Sequence, residues 1–314
     1  QNDGFKPVVR YFDRITRPEH IISSLQQAIQ VMLDPADCGP ACISLSQDVQ
    51  GEVYDYPEEF FKERVHTIRR PKPDDFQIKE AAELIKKSKK PIVIAGGGVF
   101  YSDATDELSN FAKKHNIPVT QTVMGYSSMK KDHTHYLGTI GGLGGRAANN
   151  LSKETDTAIA IGTKLADFTT GSWANFENPN FKLVSINAAR FDANKHMAQA
   201  IVGDAKVSLI ELSQALGSWK ADDGWHKKSR IELKNWESYV DKESGPTNQK
   251  VPSYAQVVGA CYRNSDPSDI AVTAAGGLVG EVIQVWKPRE LNTHETEWGF
   301  SCMSYEISGA LGIK

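Results

Sequence analysis

The stretch PIVIAGGGV, Pro91–Val99, is an apolar run of strand length that ends in three consecutive glycines, after which a helical pattern resumes. Ile92, Val93, Ile94 and Ala95 are four apolar residues in a row, three of them β-branched. That pattern suits a strand buried on both faces of a parallel sheet covered by helices. Gly96, Gly97 and Gly98 then allow backbone angles closed to other residues and let a ligand or another chain segment come close. The dinucleotide fingerprint needs G-x-G-x-x-G with an acidic residue about 20 positions on, and GGGVFYSD does not supply it. The triple glycine therefore reads as a sharp strand-to-helix turn in preference to a phosphate cradle.

Working outward, Phe76, Ile78, Ala81, Ala82 and Ile85 have the spacing of an amphipathic helix before this strand, and a second helix is expected from about Asp103 to His115. IPVTQTV, DTAIAIG (Asp156–Gly162) and FKLVSIN (Phe181–Asn187) read as further strands, and a helix from near Ala205 to Gly217 closes the unit. Strands alternating with helices from Phe76 to Leu216 predict an α/β fold with a doubly wound parallel sheet. Upstream, Ile21, Ile22, Leu25, Ala28, Ile29 and Met32 predict a helix stopped by Asp34-Pro35, and ACISLSQDV (Ala41–Val49) alternates like a half-buried strand. One helix and one strand are too little for a domain. Asp55–Asp75, rich in Pro, Arg, Lys and Glu, reads as a linker. Downstream, Trp225–Val240 reads as a connecting helix and Asp241–Lys250 as a polar linker. A third unit follows, with a helix at Tyr254–Tyr262, the strand IAVTAAGG, and a helix at Gly280–Trp286.

At 314 residues the chain is long enough for more than one domain. Its 36 Lys and Arg against 39 Asp and Glu give no electrostatic reason to expect nucleic acid or an anionic membrane as partner. No apolar run approaches the ~20 residues of a membrane span and the N-terminus lacks a signal-peptide pattern, which points to the cytoplasm. Cys38, Cys42, Cys261 and Cys302 lack C-x-x-C spacing and read as reduced thiols. The chain starts at Gln1 in a polar stretch and stops at Lys314 just after the apolar ISGALGI, so it is expected to be an internal fragment of a longer polypeptide.

Chemistry is sparse in the spacing. A strand, Gly276, Gly277 and a helix start are the order in which backbone N–H groups hold phosphate oxygens, and also the order of an ordinary glycine turn. Met303 opens a helix of small residues, where an unbranched thioether commonly fills gaps. Asp48, Asp167 and Asp192 follow strands or adjoining loops, where carboxylates cap helices or serve function. His133 and His135 have no second ligand pair nearby, and a solvated loop is the reading preferred over a zinc site.

Several longer strings carry a family resemblance: GPACISLSQDVQGEVYDYP (Gly39–Pro57), PIVIAGGGV, LGTIGGLGGRAANNL (Leu137–Leu151), DTAIAIGTKLADFTTGSW (Asp156–Trp173) and EWGFSCMSYEISGALG (Glu297–Gly312). In this order they resemble the thiamine-diphosphate-dependent enzymes related to acetolactate synthase, over nearly the whole chain. FKPVVRYFDRITRP (Phe5–Pro18), DYPEEFFKERV (Asp55–Val65) and SCMSYEISGALG (Ser301–Gly312) are most similar to a subfamily of hydrolases that open a cyclic 1,2-dione in myo-inositol catabolism.

The resemblance implies the end of a pyrimidine-binding domain at 1–54, a linker at 55–75 and a central Rossmann-like domain at 76–217. A connecting helix and linker at 218–250 and the start of a diphosphate-binding domain at 251–314 complete the chain. Thiamine diphosphate and Mg2+ are the implied cofactors of the full-length enzyme, and a homodimer or homotetramer its implied assembly. The activating glutamate would lie before Gln1 and the metal motif beyond Lys314, so no catalytic or metal residue is expected in this chain and the fragment by itself is expected to be inactive. Gly276, Gly277 and Leu278 match the loop at the diphosphate end, and Met303 the residue that props the cofactor into its bent shape. The sequence departs from the wider family at Ser46, Gly277 and Ser301. LGGRAANN (Leu143–Asn150) resembles the loop that meets FAD or ADP in the central domain of some relatives. Two other readings stay open at this point: a carboligase or decarboxylase of 2-oxo acids with the same cofactor, and a non-catalytic nucleotide-binding or oligomerisation module.

Overall fold

Every residue of Pro91–Ala95 is buried, because this strand is paired on both edges in the middle of a six-stranded parallel sheet. The computed structural model describes residues 2–314, which divide into two units, Gln1–Pro71 and Lys72–Lys314.

In the first unit, β1 (Tyr11–Ile15), α1 (His20–Met32) and β2 (Ala41–Leu45) form a strand-helix-strand crossover in which β1 and β2 run parallel, Tyr11 opposite Ala41 and Ile15 opposite Leu45. The Asp13 carboxylate ties strand to helix by accepting the Ser24 hydroxyl, and that bond is the main reason its pKa lies below the usual carboxylate value. Only one strand was expected here. Charged Asp13 and Arg14 interrupt the apolar pattern of β1, of which Ile15 alone is fully buried. β2 also stops four residues before the expected Val49, which instead begins a 3-10 turn. Between residues 55 and 71 the chain has no regular element except a 3-10 turn, Glu58–Phe61, where Tyr56 stacks on Phe60 at 5.7 Å.

The second unit begins with α2 (Asp75–Lys86), whose first turn is capped by the Asp74 side chain accepting the Phe76 N–H at 2.7 Å. Ile78, Ala81, Ala82 and Ile85 form its buried stripe, as the spacing predicts. After it come β3 (Pro91–Ala95), α3 (Thr105–His115), β4 (Val119–Gln121), β5 (Tyr136–Thr139), α4 (Arg146–Glu154), β6 (Thr157–Ile161), β7 (Lys182–Asn187), β8 (Gln199–Val202) and α5 (Ala205–Leu216). The strand order is β5-β4-β3-β6-β7-β8, the arrangement of a doubly wound dinucleotide fold with its switch point between β3 and β6. Strands β5 and β8 were not expected. Each has only four residues, and Gln199–Val202 runs straight into the turn that starts α5.

At the switch point the three glycines do act as a turn. The Gly96 N–H donates to the Ile161 carbonyl at 2.8 Å and the Gly98 N–H to the Gly162 carbonyl at 2.9 Å. A Cβ on Gly98 would lie 2.5 Å from the Gly162 Cα, and Gly162 itself has φ +58. No side chain fits between these two backbones.

The rest of the unit comprises α6 (Asp223–Glu243), α7 (Tyr254–Asn264), β9 (Ala271–Thr273), α8 (Leu278–Val285), β10 (His294–Thr296) and α9 (Tyr305–Ile313). The Trp225 indole N–H docks α6 by donating to the Pro91 carbonyl at 2.8 Å. β9 and β10 form a second, two-stranded parallel sheet. Several bonds join this segment to the loop after β4: Tyr126 hydroxyl to Trp286 carbonyl at 2.8 Å, Thr293 N–H to Ser127 hydroxyl at 3.1 Å, and Lys131 N–H to Pro288 carbonyl at 2.8 Å.

His133 and His135 lie in the turn before β5, where His133 is half-buried, but His135 is not solvated as expected. His135 is 6% exposed, bonded through Nε2 to Asn116 at 3.1 Å, and its ring stacks on His226 at 4.3 Å. Burial, with the neighbouring His226 and His133, lowers its pKa to about 4, and burial alone takes His294 to about 4.

Two outcomes follow from these contacts. Gly162→Ala should cost about 3 kcal/mol of unfolding free energy in urea, since a left-handed backbone and a close contact both resist the methyl group. The two histidines have folded pKa values below the unfolded 6.5, so the unfolded chain binds more protons between pH 6.5 and 4. Stability is therefore full above pH 6.5 and declines as pH falls towards 4; a urea midpoint series should show this, and His135→Gln should make the decline shallower.

Candidate functional site

Because β9 and β10 run parallel in register, the segments leaving their carboxyl ends, residues 274–277 and 297–304, emerge at the same end of the small sheet. Crevices beyond the carboxyl ends of parallel strands are where α/β folds bind ligands. The first segment carries Gly276 and Gly277 and leads into Leu278 at the start of α8, and the second carries Met303, so the topology brings the four expected site residues to one end.

The first segment is an open, exposed glycine turn at the start of α8. Gly276 has φ +84, and an added Cβ at Gly276 or Gly277 meets no described atom within 4 Å. Gly277 is the N-cap of α8 and offers no side-chain cap, so the first N–H groups of this eight-residue helix are left to external acceptors. The helix is held from its other side by buried Val279, Val282 and Ile283, and a Cβ on Gly280 would stand 3.4 Å from Leu143 of the large sheet's side. Leu278 is 44% exposed and Met303 85% exposed.

The second segment is organised by a residue the sequence reading passed over. Glu297 accepts the Phe300 N–H at 2.8 Å through Oε1 and the Cys302 N–H at 2.6 Å through Oε2. These bonds hold its pKa below the usual glutamate value, the Cys302 N–H contributing most. The Cys302 thiol is pushed up, first by burial and then by the Glu297 charge. Beside Glu297, Trp298 packs edge-on against Phe168 at 5.2 Å, which joins this loop to the one following β6. No spacing rule marks a carboxylate that bonds backbone three and five positions on.

The other expected positions behave differently. Asp48 and the short helical turn it precedes share no side-chain cap, Asp167 stands exposed in the first turn of a four-residue helix, and Asp192 pairs with Lys195 at 2.5 Å. Among the described residues no group of three or more His, Cys, Asp or Glu is arranged to hold a metal ion. Cys38, Cys42, Cys261 and Cys302 are all free thiols.

Leu143–Asn150, the loop set against FAD or ADP, has its glycines filled by protein. A Cβ on Gly144 would lie 2.5 Å from the Ile140 carbonyl carbon and one on Gly145 2.6 Å from the Trp236 indole nitrogen. The Arg146 guanidinium lies over Trp236 and Tyr239 at 5.5 and 5.1 Å. Gly96, Gly98 and Gly162 are likewise closed on each other, so the glycines of both loops are packed against the protein's own atoms.

Residues 78–212 match the family model described as thiamine pyrophosphate enzyme, central domain, thiamine pyrophosphate being thiamine diphosphate under its other name. That segment is a thiamine pyrophosphate enzyme central domain. The whole chain is homologous to curated proteins named 3D-(3,5/4)-trihydroxycyclohexane-1,2-dione hydrolase. It is 39% identical to that of Clostridium perfringens strain 13 and 41% identical to that of Bacillus licheniformis, in each case over all of this chain and 53% of the relative. Identity to that of Clostridium tetani is 38%, over 52% of the relative. The chain thus spans about half the length of the curated relatives it matches. Among the described residues no helix is long and apolar enough to cross a membrane.

Proposed function

We propose that the full-length protein is a thiamine-diphosphate-dependent C–C hydrolase that opens trihydroxycyclohexane-1,2-dione to 5-deoxy-glucuronate in myo-inositol catabolism. Whole-chain similarity to the dione hydrolases supports the substrate class. The open turn at Gly276 and Gly277, which no described atom fills, is the observation that carries the cofactor assignment. Here the residues present fit the diphosphate end.

When bound, thiamine diphosphate supplies the electron sink that cleavage beside a carbonyl requires. The chain's own part is binding and orientation. Gly277 and Leu278 N–H groups, at the positive end of α8, would hold the phosphate oxygens, and Gly276 would keep the approach clear of side chains. Met303, on the adjoining segment, would contact the body of the bound cofactor. In the overall reaction water is consumed and the bond between the two carbonyl carbons breaks, one carbon becoming a carboxyl group and the other an aldehyde. Mg2+ and the activating glutamate come from parts of the protein outside this chain. The pyrimidine-binding and diphosphate-binding pieces, 1–54 and 251–314, belong to sites completed in a cytoplasmic homodimer or homotetramer.

Product analysis on the full-length protein tests the reading. The cyclic dione should give the deoxy-sugar acid, with dependence on added thiamine diphosphate and Mg2+. Condensation or decarboxylation of a 2-oxo acid in its place would assign the carboligase reading, and absence of saturable cofactor binding would leave a scaffold. Gly276→Ala should weaken thiamine diphosphate about tenfold, roughly 1.4 kcal/mol in a calorimetric titration. Gly145→Ala, at the filled loop, should lower thermal stability and leave that affinity unchanged.

A further inference from the structure

The loop between β10 and α9 holds two residues in a strained backbone conformation. Ser301 and Ser304 both have left-handed backbones, φ +51 and +74, although neither is glycine. They flank Cys302 and Met303 on both sides. Such conformations persist where surrounding bonds over-determine them. Ser304 starts α9 without a side-chain cap of its own, so the helix end does not impose the shape. Two features do. The Glu297 carboxylate receives the Phe300 and Cys302 N–H groups, one on each oxygen. Trp298, its neighbour, stands edge-on to Phe168, and at the loop's far end the Tyr305 hydroxyl donates to Glu295 at 3.4 Å. Bonds from N–H groups to a charged carboxylate are the stronger kind.

We propose that Glu297 is a positioning residue for the cofactor: by holding the backbone of 300–302 it sets where the Met303 side chain stands at the carboxyl end of the small sheet. This rests on the cofactor reading given above. The Met303 side chain itself is 85% exposed and has no packing of its own to fix it, so its place is that of its backbone. The backbone at Met303 lies between two left-handed residues, and release of the Cys302 N–H removes the bond nearest to it. Glu297 touches no reacting atom in this scheme. Its effect passes through Met303.

A double-mutant cycle in the full-length protein separates this role from simple loop support. Calorimetric affinity for thiamine diphosphate, at fixed Mg2+, is compared for wild type, Glu297→Gln, Glu297→Ala, Met303→Ala and the Glu297→Gln/Met303→Ala pair. Glu297→Ala should weaken binding about tenfold. Glu297→Gln, which keeps one accepting oxygen, should weaken it less. In the Met303→Ala background the Glu297 change should have no further effect, since the side chain it places is gone. Alkylation of Cys302, followed by peptide mass, reports on the loop without any cofactor; it should be faster in Glu297→Gln because the charge that disfavours the thiolate is removed.

Unchanged affinity in the Glu297 variants, with wild type binding normally, overturns the proposal whether or not alkylation changes. Additive losses in the cycle overturn it as well, for Glu297 would then act independently of Met303. If Glu297→Ala does not fold, the Gln variant carries the same comparison. Wild type without saturable binding would instead bring down the cofactor reading itself, a different result from either.

Discussion

The approach of Gly98 to Gly162 is the constraint on which the large unit depends. Where β3 and β6 end side by side, the chain turns towards opposite faces of the sheet, and the two turns meet backbone to backbone. Only residues without a Cβ permit the contact. By closing there, the fold fixes the ends of its two central strands against each other. Gly144 and Gly145 repeat the pattern one loop away, where Ile140 and Trp236 take the space. The central sheet is accordingly a support, and its glycines are structural even though their pattern resembles that of a ligand loop.

What the support carries is the smaller sheet. Leu143 packs against the cluster of Val123, Tyr126, Val279 and Ile283, with Trp298 beside it. Lys130 pairs with Glu290, and the Lys131 ammonium donates to the Tyr262 hydroxyl at 2.9 Å. Exposed ion pairs contribute little, about 0–1 kcal/mol. The apolar cluster and the buried backbone bonds from Tyr126 and Ser127 are the stronger terms, since breaking them leaves buried polar groups without partners.

The sequence was most legible where one segment's own pattern decides its structure. Pro91–Ala95, Thr157–Ile161 and Lys182–Asn187 are long apolar strands between clear breakers, and α2 and α5 have both a periodic stripe and an aspartate cap. Strands β1, β5, β8 and β10 were missed because partners define them. Thr296 in β10 and Asp13 in β1 are polar, and β5 and β8 are too short to show a period. For the proposed site, motif resemblance alone supplied Gly276, Gly277, Leu278 and Met303. It did not reach Glu297, because a side chain folding back onto its own loop leaves no periodic trace, nor the burial of His135, which the neighbouring Asn116 and His226 create.

Strand β10 shows most plainly how the site depends on the support. His-Glu-Thr would make a poor strand alone, since none of its three residues is apolar. Yet His294 and Thr296 are buried, at 8% and 5% exposure. The His294 ring nitrogen Nε2 is 3.2 Å from the Thr273 hydroxyl on β9, and its face meets Tyr126 edge-on at 5.3 Å. A buried imidazole of lowered pKa is neutral and so can sit there at little cost, provided those partners are present. Tyr126 belongs to the loop after β4, not to the smaller sheet. The strand from which Glu297 and Met303 emerge is therefore held in place by a side chain from the loop after β4, and a change in the packing of Tyr126 reaches the Glu297 loop without touching any of its residues.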